Sequence, residues 1–236
     1  MKIIFNTTSF AVLTFAFMLF TIIGTLSHEY GHIVVAKQLG YDTTLHYGSM
    51  NFNSELNDRL ITIYNENETA IENDTYFEQK KDFESGLKTL QSDALWILVG
   101  GPSQTILTGL IGLTILFFRR KHIKTFDLKT IDWLAIFLSL FWLREVFNLV
   151  MSIVSEIISP NGSYFSGDEK NIAYGLNIWE GSISVTLGIV GLFIALFVIF
   201  RIIPKRHRLT FLTSGLTGGI IGFIVWMYIL GPKLLP

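Results

Sequence analysis

The stretch FAVLTFAFMLFTIIGTLSHEYGH, Phe10 to His32, joins a long apolar run to two histidines set four residues apart. Residues four apart lie one above the other on a helix face, so His28 and His32 can present two imidazoles to one metal ion, with Glu29 beside them. The run follows a single Lys2 and carries a small-x-small pattern at Thr25-Leu26-Ser27, the outline of a signal peptide. Its apolar region is too long for one, and helical character continues from Ile33 to Leu39, where Gly40 supplies a C-terminal cap. The expectation is a retained membrane span. Thr14, Thr21, Thr25, His28 and His32 share one stripe of it. For the threonines alone the plain reading is a helix interface lined with small hydroxyls.

Composition agrees with a membrane setting. Half of the 236 residues are hydrophobic and 20 are Phe, too apolar a mixture for an ordinary soluble domain of this size. A net charge of −1 gives no reason to expect nucleic-acid binding, and the absence of Cys removes both disulfides and thiolate metal sites. Any metal must be held by His, Asp or Glu.

Four more apolar segments follow, about Ala94 to Phe118, Ile131 to Ile158, Ser182 to Ile203 and Leu209 to Leu230, each long enough to cross a hydrocarbon core about 30 Å thick. Between the first and second spans, Tyr41 to Gln91 is polar and carries ten Asp/Glu against four Lys/Arg, so it reads as a soluble insertion. Within it Thr44 to Met50 and Leu60 to Tyr64 read as strands. Tyr76, Phe77, Lys80, Phe83, Leu87 and Leu90 follow helical spacing, as in an amphipathic helix lying on the membrane surface. The expected fold is an all-α polytopic membrane protein of about five transmembrane helices, a single membrane-embedded domain with a small mixed α/β soluble insertion at 41–91. Ser214, Gly215, Gly218, Gly219 and Gly222 form overlapping small-xxx-small pairs suited to helix packing.

Charged residues then orient the spans. Arg119, Arg120, Lys121, Lys124 and Lys129 fill one loop and Lys205, Arg206 and Arg208 another, whereas Ser159 to Asn177 holds only Lys170. The positive-inside rule makes the two basic loops cytoplasmic and puts the insertion, the 159–177 loop and the outer end of the first span on the opposite side.

An H-E-x-x-H pattern is of moderate specificity alone, but ionisable residues inside a span cost roughly 2.5–3.5 kcal/mol each by insertion scales, and three within five positions call for a partner. A metal is one. Two neutral imidazoles and a carboxylate would hold Zn²⁺ and leave a fourth position for water. Zinc would lower the pKa of that water from about 15.7 to about 7, roughly 12 kcal/mol less cost of forming hydroxide. Glu29 would take the proton during attack on a carbonyl and pass it to the leaving amine. On the outer side the candidate third ligands are Asp93, Glu156, Asp168 and Glu169. Asp168 is the first choice, because it stands where a loop can turn back into the membrane, and Glu169 is its close rival. In the third span Arg144, Glu145 and Asn148 must face the bundle interior. The first two suit a buried charge network as well as a substrate contact, and Asn148 could donate to a substrate carbonyl or developing oxyanion. Gly100-Gly101-Pro102 is expected to begin or break the second span and open its backbone.

H-E-Y-G-H on a membrane helix, G-G-P in a later span, and Phe147-Asn148-Leu149 followed downstream by Gly167-Asp168 together resemble the site-2 protease family of intramembrane zinc metalloproteases, over about residues 20 to 176. The resemblance implies His28, His32 and Asp168 as zinc ligands, Glu29 as general base, and Gly101, Pro102 and Asn148 as substrate-binding or oxyanion groups. The chain departs from the family in having Thr105 where Asn usually follows the Gly-Pro element, and in lacking a Pro-rich approach to the Asp. The implied activity is hydrolysis of a peptide bond in or near a partner protein's transmembrane segment. A peptide could add as a strand beside residues 41–64. The implied partners are a membrane-protein substrate and the lipid bilayer of a bacterial cell membrane. The alternative is a non-proteolytic metal-binding membrane protein with a structural or regulatory role, a divalent-metal carrier being a third class.

Reporter fusions at residues 60 and 122 test the orientation. Residue 60 is expected outside and residue 122 in the cytoplasm; a cytoplasmic residue 60 would reverse the topology.

Overall fold

A computed structural model describes residues 5–160 and 165–236; Lys2 lies outside them. Five helical stretches among the described residues are long and apolar enough to cross a membrane, as expected of a multi-pass membrane protein. The first, α1 (Thr7–Gln38), starts where the Asn6 side chain accepts from the Ser9 N–H and ends with Lys37 in its last turn. Gly40, at φ 86°, takes the left-handed conformation that releases the chain.

The insertion differs from its expected form. Thr44 to Met50 is not one strand. It spans the turn of an antiparallel hairpin, β1 (Asp42–Leu45) paired with β2 (Met50–Asn53). Leu60 to Tyr64 is not a strand either, for it lies within α2 (Glu55–Glu72). Local β-branched residues suggested a strand. Helix signals prevail: Ser54 caps by accepting from the Asn57 N–H, Glu55 and Asp58 favour the first turn, and Leu60 and Ile63 bury one face against Phe77 and Phe83. That packing also corrects the amphipathic segment. Phe77 and Phe83 of its stripe are covered by α2 while Tyr76 and Leu87 remain exposed, and from Lys80 the segment runs unbroken into the second span as α3 (Lys80–Phe126), 47 residues long.

Gly100-Gly101-Pro102 lies inside α3 and neither begins nor breaks it. The glycines serve another purpose. A Cβ on Gly31 would lie 2.4 Å from the Gly100 carbonyl oxygen, and one on Gly100 would lie 2.5 Å from the Gly31 carbonyl oxygen. Helices α1 and α3 therefore cross backbone to backbone at this point, the close approach that small residues permit inside membranes.

The third span is α4 (Thr130–Ser139) and α5 (Leu143–Ile158), joined by a single tight turn at Leu140–Trp142. The short α6 (Asp168–Gly175) precedes α7 (Ser182–Phe197) and α8 (Lys205–Ile224), each of which ends in a wider π-turn, and a last turn, α9 (Gly231–Leu234), follows. Helix α8 packs along α1 through the small residues read as an interface: a Cβ on Gly218 would lie 2.4 Å from the Thr14 carbonyl oxygen, and Ser214 donates to the Phe10 carbonyl. The largest core cluster, with Leu116, Ile136, Phe137, Val198 and Phe211, fills the bundle near the end where α1 begins. Helix α3 is tied to α4 there by Arg119 on buried Asp132, which also accepts from the Lys129 N–H. At the opposite end Trp226 donates to the Tyr47 carbonyl, and the Tyr47 N–H donates to that of Leu235, so the hairpin turn is pinned by the C-terminal segment.

Gly31→Ala is expected to destabilise the protein by about 1–3 kcal/mol in detergent unfolding, because the crossing is overpacked. Gly24→Ala, with nothing within 4 Å of its Cβ, is the control and should be neutral or slightly stabilising. Equal responses would contradict the crossing.

Candidate metal centre

His28 and His32 sit one turn apart on the part of α1 that crosses α3, and both are buried. Their rings stand nearly perpendicular, with centroids 4.9 Å apart. Each ring is held by its Nδ1. That of His32 lies 2.7 Å from the Ile97 carbonyl oxygen, which only accepts, so Nδ1 carries the proton and Nε2 faces inward. That of His28 lies 2.9 Å from the Thr105 hydroxyl. Both anchors come from α3. Anchoring the outer ring nitrogen of a histidine in this way fixes the tautomer and orientation that a metal ligand needs.

The two Nε2 atoms converge on Asp168, whose Oδ2 lies 2.8 Å from that of His28 and 3.2 Å from that of His32. Asp168 arrives as the first residue of α6, after Gly167 turns the chain at φ 82°. Burial would raise the pKa of its carboxyl, but its close contacts with His28 and His32 overcome this and hold it below the ordinary carboxylate range. Glu29 completes the cluster: one ligand atom each from His28, Glu29 and His32 lie within 4.8 Å of one another, and all three residues are buried. The Glu29 carboxyl forms no hydrogen bond among the described residues, and the residue remains 6% exposed.

Gly101 closes the other side of the cluster. A Cβ there would lie 2.3 Å from His32 Nε2 and 2.5 Å from His28 Nε2, so only glycine leaves room beside the two donor atoms. This cradle, with two anchored imidazoles and an ionised carboxylate, fits a small divalent cation, and nitrogen and oxygen donors without thiolate suit zinc.

The remaining sequence candidates fall elsewhere. Glu169, the rival to Asp168, turns away on α6 and accepts from Asn148 Nδ2 at 3.1 Å. Asn148 is thereby engaged in joining α5 to α6. Asp93 accepts from the Tyr41 hydroxyl at 2.8 Å, and Glu156 lies farther along α5. Burial and that neighbouring carboxylate push the tyrosine hydroxyl up to about 12, so it stays a donor that ties the hairpin to α3. Pro102 is buried beside Gly101 in an intact helix. Sequence reasoning passed over the anchoring role of Thr105 and the Ile97 carbonyl. Their spacing of four on either side of Gly101 was the available signal, since it puts all three on one face of α3.

Comparison of the chain with models of known protein families, with curated proteins and with solved structures gives no match.

Metal analysis of the purified protein is expected to find stoichiometric zinc, lost in His28→Ala, Asp168→Ala and Gly101→Ala while helicity is kept. Thr105→Val should weaken zinc affinity about 10–100-fold by freeing one ring. Full zinc in Asp168→Ala would remove that residue from the ligand set.

Proposed function

We propose that this chain is an intramembrane zinc metalloendopeptidase of the site-2 protease kind, cutting a peptide bond in or near the transmembrane segment of a partner protein. The observation that carries the proposal is the unbonded Glu29 carboxyl beside two histidines and an aspartate whose donor atoms are already brought together. When bound, zinc supplies Lewis acidity, which makes water a better nucleophile near neutral pH and polarises a carbonyl. His28, His32 and Asp168 would hold it. Glu29, one position along the helix from His28, does not share that residue's face, and its carboxyl is free to take a proton from water and return it to the departing amine. Burial of the site in the bundle limits bulk water and strengthens each charge interaction there.

The hairpin follows α1 directly and has unpaired strand edges, which makes it the element best suited to receive an unwound substrate in extended form. Asn148 gives one amide N–H to Glu169, which supports the α6 connection, and its second N–H remains for a substrate carbonyl or developing oxyanion.

A second reading rests on the same closeness of Glu29 to the histidines. If its carboxyl also coordinates, four protein ligands close the site, and a closed site is structural. The variant Glu29→Gln separates the two. The peptidase reading expects zinc content unchanged and cleavage of a reconstituted transmembrane substrate lost, by 10² to 10⁴-fold or more. Loss of zinc itself in that variant would favour the closed, structural site.

A further inference from the structure

At the end of the bundle remote from the metal centre, a cavity of about 510 Å³ opens between the C-terminal end of α3, the π-turn after α7 and the start of α8. Five cations line it, Lys124, Arg201, Lys205, Arg206 and Arg208, against the single acid Asp127. Two of the five are already used. Arg206 pairs with Asp127, and Arg208 donates to the Phe200 and Ile203 carbonyls that the end of the preceding helix leaves free. Lys124, Arg201 and Lys205 are exposed and have neither a hydrogen bond nor an ion pair among the described residues. Three unpaired cations thus converge on one cavity from three elements. The backbone N–H groups of the first turn of α8, a helix of 20 residues, add positive potential at its mouth.

The other half of the lining is apolar. Ile123, Ile202 and Ile203 are buried and line the cavity, while Phe126, 68% exposed, stands at its rim. A cavity basic at the top and apolar at the base, where three spans meet the interface, matches a molecule with a phosphate at one end and hydrocarbon at the other. Inorganic phosphate or a soluble phosphate ester matches only the upper half. The basic loops also lie on the side that the positive-inside rule makes cytoplasmic, the leaflet surface that carries anionic lipid.

We propose that this cavity is a binding site for an anionic phospholipid, whose phosphate is held by Lys124, Arg201 and Lys205. The site does not depend on the metal centre, which lies at the other end of α1, nor on any activity there.

Native mass spectrometry of the full chain, released from micelles containing equal phosphatidylglycerol and phosphatidylcholine, tests it. The wild type is expected to retain one phosphatidylglycerol in preference to phosphatidylcholine. Neutralising one cation near a membrane surface weakens such binding roughly fivefold, so Lys124→Gln/Arg201→Gln/Lys205→Gln should lose on the order of a hundredfold. Arg120→Gln/Lys121→Gln removes two cations of the same end of α3 that do not line the cavity, and should leave retention unchanged. Wild-type protein with no preference between the lipids overturns the proposal, without reliance on any variant. So does equal loss in the two sets of variants, which would mean a diffuse basic surface. Added inorganic phosphate should not displace the lipid; displacement together with phosphate binding in phosphatidylcholine alone would assign the cavity to a soluble anion and overturn the lipid assignment.

Discussion

The architecture depends on one crossing, where Gly31 of α1 and Gly100 of α3 meet backbone to backbone. A single methyl group at either position would separate the helices, and everything at the metal centre is referred to their spacing. The Ile97 carbonyl and Thr105 hydroxyl reach the imidazoles only because α3 lies this close, and Gly101 places its bare backbone directly beside their donor atoms. The three consecutive positions in Gly100-Gly101-Pro102 are therefore a packing device. Proline within a helix costs one backbone hydrogen bond, and in lipid that loss is tolerated where neighbouring groups enclose the site.

Polar groups within the bundle are expensive unless satisfied, and the histidine pair at the crossing is well supplied with partners. His28 and His32 have partners at both ring nitrogens, and Asp168 lies against the Nε2 of both rings. Glu29 is the member of the cluster left without a bond.

Much of this was legible in the sequence because it depends on local period and length. Five apolar segments predicted five spans, and the spacing of His28 and His32 put them on one face. The small residues from Ser214 to Gly222 marked an interface that packs on α1. What failed had tertiary causes. Leu60 to Tyr64 is rich in β-branched residues, and packing against Phe77 and Phe83 together with the Ser54 cap makes it helical. The amphipathic stripe from Phe77 onward could equally have met lipid or protein; α2 covers Phe77 and Phe83 and leaves Leu87 exposed. The choice between Asp168 and Glu169 was open in a Gly-Asp-Glu string, since adjacent residues diverge by about 100° on a helix and nothing local says which one meets α1. Thr105 looked like a departure from a family pattern, whereas its hydroxyl anchors His28.

That divergence on α6 also gives Asn148 its place. Because Asp168 and Glu169 point to different sides of one helix, a bond to Glu169 fixes the rotation of α6 and with it the position of the Asp168 carboxyl. Asn148 supplies that bond from α5, and Glu145, one turn earlier on α5 and fully buried, is the next carboxyl beside Glu169. Helix α6 has only eight residues, too few to be stable or oriented alone. Its orientation must come from contacts at both of its acidic residues: the histidines of α1 on one side, α5 on the other. The third corner of the candidate metal site is therefore set by α5 through a polar pair inside the bundle, and the chain assembles that cluster from four helices even though the motif that reveals it lies on one.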